Sequence, residues 1–328
     1  MCGIVGITST KQVSSTIINS LKKLEYRGYD SAGIATLNDG FINEVKCEGR
    51  VDGLEKNVSK INLLGNVGIG HVRWATHGIP NSINAHPHHD YSKKFSLIHN
   101  GIIENFSDLK KDLISDGYTF QSDTDTEVIA NLIQKNFDQT SDIKQTMIDT
   151  VSNLSGHYAF VVIFEDGTLA AARFHEPLIV GVGKNSHYLS SDVLGFIERT
   201  DDAIYIDNED FVIVDNNGLK IYNFDGSHVK HQITKVSKEF ADVYKGDYAH
   251  YTLKEISEQP ETILRAGDDE QINEIVKHIE DSKTLYITGS GTSYNSSRIS
   301  KYLMSTHAKL KIEPIISSEL QFAPDSIE

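Results

Sequence analysis

The strongest constraint on the fold is a change of hydrophobic period after residue 154. From there to about 229 apolar residues alternate with polar ones, or run continuously, between two-residue turn signals. HYAFVVIFEDGTLAAARF (157–174) holds two such runs around Asp166-Gly167, and Asn217-Gly218 and Asp225-Gly226 mark further turns. Alternating runs joined by Asp-Gly or Asn-Gly predict hairpins, hence antiparallel sheets. PLIVGVG, AIYID and DFVIVDNNGLKIYNFDGSHV continue the pattern.

Upstream, strands and helices are interleaved. CGIVGI (2–7) reads as a buried strand, and Ile17, Ile18, Leu21 and Leu24 form one helical stripe over 14–24. Strand character returns in 40–51, 67–74 and 94–103, with a polar loop bearing Pro80, Pro87 and His86, His88 and His89 between the last two. A helix is predicted over 107–117, with Ser107 as N-cap and Gly117 as its stop. Two more follow at 125–137, with Val128, Ile129, Leu132 and Ile133 on its apolar face, and at about 143–154. Such a mixture suits antiparallel sheets packed against helices.

The character shifts at ITKVSKEFADVYKGD (233–247), which reads as a linker. Helices are predicted at about 250–266 and 270–281. KTLYITGSG (283–291), a helix over 292–307 and LKIEPII (310–316) then make a strand–glycine loop–helix–strand unit of the parallel α/β kind. One such unit cannot cover both faces of a parallel sheet. The division expected is therefore 1–236, a linker at 237–248, and an incomplete α/β segment at 249–328.

The charge balance excludes some functions. With 31 Lys and Arg against 46 Asp and Glu, the formal net charge is −15. A chain so acidic lacks the positive field that nucleic acids or anionic membranes recruit, so neither is expected as a partner. Two cysteines, Cys2 and Cys47, cannot form a disulfide framework, which suggests a reducing compartment. No apolar run reaches the roughly 18 residues of a membrane span, and MCGIVGITSTKQ lacks signal-peptide character. A soluble, cytoplasmic protein is expected.

The chemistry begins at Cys2. Removal of Met1 would place a thiol and a free α-amine on one residue. That amine, with a reference pKa of roughly 7.7–8.0, could serve as base for its own side chain. EYRGYDSAGIA (25–35), HVRWATHGIPN (71–81), HNGIIEN (99–105) and DTDTEV (123–128) accompany it. With MCGIVGI, these segments resemble the class II glutamine amidotransferases of the N-terminal-nucleophile type. Within them they resemble the glutamine–fructose-6-phosphate aminotransferase (isomerizing) family, the glucosamine-6-phosphate synthases of amino-sugar biosynthesis. The resemblance covers essentially all of 1–240 and continues beyond.

It implies a four-layer α/β/β/α sandwich for 1–236 and a thiol that attacks the carboxamide of L-glutamine. By that match Cys2 is the nucleophile, and Asn100 and Gly101 form the oxyanion hole. Arg73 clamps the α-carboxylate and Asp125 takes the α-ammonium. Thr76 and His77 lie on the loop that closes over glutamine. Trp74 gates the ammonia path, and Arg27 lies near the nucleophile. Read alone, Arg73 is a surface ion-pair residue, Asn100-Gly101 a turn and Asp125 a helix N-cap. The ordered set is what outweighs those readings. His86, His88, His89 and Asp90 lack the helical spacing of a zinc site, so no metal is expected there, and no cofactor is implied.

TGSGTSYNSS (288–297) resembles the start of the family's sugar isomerase (SIS) domain, with Thr292 and Ser293 on the sugar phosphate. A glycine loop with hydroxyls at a helix N-terminus is chemically an anion site. The family's second SIS lobe, its further phosphate loop and its C-terminal tail have no counterpart after Ile316. The chain is therefore expected to act as a glutaminase and not to aminate fructose 6-phosphate alone. A homodimer, or a partner chain with the remaining lobes, would complete it. Amidophosphoribosyltransferase and asparagine synthetase are rivals within the class, and a non-catalytic glutamine- or partner-binding fragment is the rival outside it.

Overall fold

The computed structural model describes residues 2–237, 248, 250–267, 270–280 and 282–322. The chain divides into two compact units, residues 1–244 and 245–328. The linker expected at 237–248 lies almost wholly outside the described residues.

The strands of the first unit are β1 (Gly3–Ser9), β2 (Ser31–Asn38), β3 (Phe41–Glu48), β4 (Val67–Arg73), β5 (His88–His89), β6 (Phe95–Ile103), β7 (Gly156–Phe164) and β8 (Leu169–Phe174). They continue as β9 (Ile179–Val182), β10 (Ser186–Ser190), β11 (Asp202–Tyr205), β12 (Asp210–Asp215), β13 (Gly218–Asn223), β14 (His228–Val229) and β15 (Thr234–Lys235). They form an eight-stranded sheet, β15-β11-β9-β10-β1-β4-β2-β3, and a seven-stranded one, β14-β13-β12-β8-β7-β6-β5. The pairings between these strands are antiparallel.

Burial on both faces explains the continuous apolar runs. Along β7, Ala159, Val161 and Ile163 join the core between the sheets, with Ile4, Ile69, Ile98 and Leu189. The alternate residues Tyr158, Phe160, Val162 and Phe164 face the helices α4 (Thr126–Thr140) and α5 (Ile143–Asn153) through Ile129, Ile133, Met147 and Val151. On the opposite face of the molecule, Ile17, Leu21 and Leu24 of α1 (Ser14–Leu24) and Leu54 of α2 (Val51–Ile61) cover the larger sheet. The layers are thus helix, sheet, sheet, helix. At about 25 cal/mol per Å² of apolar surface, this double burial is the main stabilising contribution. The helix–sheet approach is close: a Cβ on Gly70 would lie 2.4 Å from Ile17 Cγ2.

One local expectation is corrected, and two features lie beyond the sequence pattern. The pattern passed over α2, whose buried contacts are Val51 and Leu54 alone. Helix α3 spans Phe106–Ser115, so Ser107 lies in its first turn and does not cap it. The preceding residue, Asn105, is committed elsewhere, bonding Asn153 O and Ser155 N–H. The late strands also divide between sheets, β9, β10 and β11 joining β1 while β12 and β13 extend β8.

In the second unit, helices α6 (Tyr251–Gly267) and α7 (Glu270–Glu280) precede β16 (Thr284–Gly289), α8 (Thr292–His307) and β17 (Lys311–Ile316). Strands β16 and β17 pair in parallel, from Thr284 opposite Lys311 to Gly289 opposite Ile316. Gly291, with φ +55°, stands at the N-cap position, and α8 starts directly after it.

Candidate active site

The inward face of the sandwich changes character at one end. Ile4 on β1, Ile69 on β4 and Ile98 on β6 all point into the inter-sheet core. Two residues along each, strand alternation puts Cys2, His71 and Asn100 on that same face, with Arg73 two residues beyond His71. A cleft of about 180 Å³ opens there, lined by Cys2, Arg73, Trp74, Thr76, Gly101 and Asp125 together with His99, Thr124, Thr126 and Glu176.

Cys2 is held from several directions. Its Sγ accepts the backbone N–H of Trp74 at 3.2 Å and lies 3.4 Å from the Trp74 carbonyl. Its own carbonyl accepts Arg27 Nε at 2.9 Å and Asn100 Nδ2 at 3.1 Å. Burial pushes the thiol above its ordinary value, Glu176 adds to this, and the Trp74 N–H and the Arg73 charge oppose it. A thiol so placed needs a base to act at neutral pH.

Arg73 is buried, its Nη2 donating to the carbonyls of His77 and, at 3.4 Å, Gly78. Its Nη1 is buried without a partner. An unpaired guanidinium nitrogen in a buried site costs free energy until an anion meets it. Burial lowers the pKa of Arg73, while Cys2, Asp125 and Asp30 raise it.

Asp125 occupies the N-cap position of α4, yet its side chain makes no capping bond. Its Oδ2 accepts the Ile103 N–H at 2.8 Å instead. Gly101 has φ +114°, and a Cβ there would lie 1.9 Å from the His157 carbonyl oxygen on β7.

The remaining expected residues fall into three places. Trp74 and Thr76 are exposed at the cleft, the Trp74 ring edge-on to Tyr29 at 5.6 Å. His77 does not line it: its ring packs against Phe106 at 5.4 Å, and its carbonyl supports Arg73. Arg27 reaches the backbone of Cys2 and pairs with Asp192 at 3.5 Å. Thr292 and Ser293 are exposed in the first turn of α8, in the second unit.

Sequence reasoning missed several residues. His86 and His88 turn inward to bond Thr126 and Thr124, each at 3.2 Å. His99 Nδ1 meets Thr126 Oγ1 at 2.9 Å. The threonines of DTDTEV were the available signal. Glu176 had none, because it reaches the cleft from a loop after β8, beyond His175 with φ +66°. Among the described residues, one group could hold a metal ion, Asp207, Asp210 and His231. Its imidazole is already bonded to Asp210 at 2.7 Å, and none of the three lines the cleft.

A family model for the glutamine amidotransferase domain matches residues 71–197. Two curated relatives are named glutamine–fructose-6-phosphate aminotransferase [isomerizing]. That of Clostridium acetobutylicum is 39% identical over 98% of this chain and 55% of its own length. That of Pyrococcus horikoshii is 41% identical over 100% of this chain and 56% of its own. The chain thus spans about half the length of the curated relatives it matches. Among solved structures, the glutamine phosphoribosylpyrophosphate amidotransferase of B. subtilis, complexed with ADP and GMP, superposes with a TM-score of 0.61. It is 26% identical, over 68% of this chain and 49% of its own. The chain thus carries a match to the glutamine amidotransferase domain in an α/β/β/α sandwich, and along nearly its whole length it is similar to the glutamine–fructose-6-phosphate aminotransferases.

Proposed function

We propose that the first unit hydrolyses L-glutamine through Cys2. The observation that carries this reading is the meeting of Cys2, the unpartnered Nη1 of Arg73 and the Asp125 carboxylate in one cleft. Free glutamine carries an α-carboxylate, an α-ammonium and a carboxamide. Arg73 fits the first, Asp125 the second and Cys2 the third.

After removal of Met1, the α-amine of Cys2 takes the thiol proton as Sγ attacks the side-chain carbonyl carbon. The resulting oxyanion is met by Asn100 Nδ2, which has a second hydrogen beyond the one given to the Cys2 carbonyl, and by the Gly101 N–H. Such a donor is typically worth about 2.7–4 kcal/mol of barrier. The C–N bond then breaks, the amine's proton passes to the departing nitrogen, and ammonia leaves. Water cleaves the γ-glutamyl thioester to glutamate and restores the thiol. Thr76 and His77 would close the site and Trp74 would gate the ammonia path, a water-excluding role for loop residues.

The acceptor is proposed to be fructose 6-phosphate, giving glucosamine 6-phosphate. The reading draws on relatives similar along nearly the whole chain, the second unit included. The amidophosphoribosyltransferase likeness covers 68% of it. The second unit is proposed as part of an SIS domain, with Thr292 and Ser293 toward the sugar phosphate; a homodimer is proposed as the assembly.

The test is one mass-spectrometric assay of the purified chain with glutamine and fructose 6-phosphate. Glutamate without aminosugar is expected. No glutamate above a Cys2→Ala control would sink the glutaminase reading, and glucosamine 6-phosphate would show that this chain aminates the sugar unaided.

A further inference from the structure

His71 and Asn100 take inward positions on β4 and β6, where both strand patterns call for apolar side chains. Val67 and Ile69 precede His71 on that face, and Ile98 precedes Asn100. Both polar residues are fully buried, at 0% and 1% exposure. Across the gap between the sheets, His71 Nε2 lies 3.0 Å from Asn100 Oδ1.

The donors in this chain of contacts can be assigned by elimination. The Cys2 carbonyl can only accept, so the amide nitrogen of Asn100 must face it at 3.1 Å. The amide oxygen therefore faces His71. That oxygen also only accepts, so the ring nitrogen opposite must carry hydrogen. The ring is neutral: burial pushes its pKa down to about 3, assisted by the Arg73 charge, and the Asn100 contact and the His99 carbonyl oppose this without offsetting it. A neutral imidazole has one N–H, which leaves Nδ1 bare, and Nδ1 has no hydrogen-bond partner. The His86 ring stacks on the imidazole at 4.1 Å and limits its rotation.

We infer that His71 is a positioning residue for glutamine hydrolysis, its Nε2–H fixing the Asn100 amide so that Nδ2 stays on the Cys2 side. The inference rests on the glutaminase reading above. Without the imidazole, Asn100 Oδ1 is a buried acceptor with no donor, and the amide is free to turn over. A turned amide would present oxygen to the Cys2 carbonyl and to the developing oxyanion, both negative.

The experiment compares wild type, His71→Leu and His71→Gln by glutamate release, with iodoacetamide alkylation of Cys2 as a readout that needs no oxyanion hole. Gln can place an amide N–H close to the position of imidazole Nε2; Leu cannot. His71→Leu is expected to lower kcat roughly tenfold or more, less than the loss on deleting an oxyanion donor itself. Its KM for glutamine and its alkylation rate should stay within about twofold of wild type, a split expected when an interaction acts in the transition state alone. His71→Gln should recover part of kcat. Unchanged kcat in His71→Leu overturns the inference, as does a rise in KM with kcat intact.

A measurement on the unaltered chain guards against misfolded variants. Nitrogen-15 NMR of labelled histidines should show His71 as the Nε2–H tautomer, without titration from pH 8 to pH 5. The Nδ1–H tautomer or an imidazolium would overturn the inference. If wild type releases no glutamate, the glutaminase reading fails, and the tautomer alone decides whether His71 holds Asn100.

Discussion

Asp125 Oδ2 accepts the backbone N–H of Ile103 at 2.8 Å, so the first turn of α4 is tied to the strand that carries Asn100 and Gly101. One carboxylate thus both registers two elements and lends the cleft a negative charge. Asp125→Asn keeps the shape and the acceptor but removes the charge. A hydrogen bond to a charged group contributes about 1.5–3 kcal/mol. The variant should therefore raise KM for glutamine by roughly tenfold to a hundredfold and change kcat less. Asp125→Ala should in addition lower Tm, because the buried Ile103 N–H loses its acceptor. Equal KM values for wild type and Asp125→Asn would remove Asp125 from substrate binding.

Gly101 is required by the backbone. Its φ of +114° is strained for a residue with Cβ, and the added carbon would meet His157 O at 1.9 Å. Gly101→Ala must push β6 away from β7, displacing the Gly101 N–H and the neighbouring Asn100. A destabilisation of about 2 kcal/mol or more is expected, with glutamate release lost even at temperatures where the variant is folded. Denaturant melts and turnover on the same sample check both. A variant with native stability and native turnover would mean that β6 can yield without cost.

Much of this was legible in the chain itself. The hairpin at Asp166-Gly167 fixed β7 and β8, and the ordered motifs fixed the cleft's main residues. What escaped depended on tertiary contacts. Asp125 read alone is an N-cap, and only the nearby Ile103 N–H shows why the carboxylate turns away from its helix. The histidines of the 86–89 segment read as part of a polar loop around Pro87 with no metal site. His86 and His88 are buried, bonded to Thr126 at the start of α4 and to Thr124 just before it. The division of late strands between two sheets was not legible, because alternation gives a strand's faces and not its neighbours.

The Cys2 thiol should be slow to ionise. Burial is the main cause, and the negative charge of Glu176 acts in the same direction. A raised pKa leaves less thiolate at neutral pH, so alkylation by iodoacetamide should be slower in the folded chain than in the urea-unfolded one. Its rate should still be climbing at pH values where an ordinary thiol has levelled off. Glu176→Gln removes the like charge and should move the profile toward lower pH, whereas Cys47 labelling should not change. An unshifted Cys2 profile in Glu176→Gln would show that the carboxylate does not influence the thiol.

The buried imidazoles make stability depend on acid. Burial lowers His71 to about 3, and it lowers His86, His88 and His99 in the same direction. In the unfolded chain these rings titrate near 6.5. Above that value both states are neutral and the full stability is present. Below it the unfolded state binds protons that the folded state refuses, so stability falls as pH falls. Each ring contributes a slope of up to about 1.4 kcal/mol per pH unit, and for His71 the loss continues down to about pH 3. Urea midpoints measured from pH 8 to pH 4 should be flat at first and then drop steeply below about 6.5. His88→Gln should make the drop shallower, since one proton-refusing ring is gone. A flat profile down to pH 5 would mean that the rings are protonated in the folded chain, and the neutral His71 that holds Asn100 would fall with it.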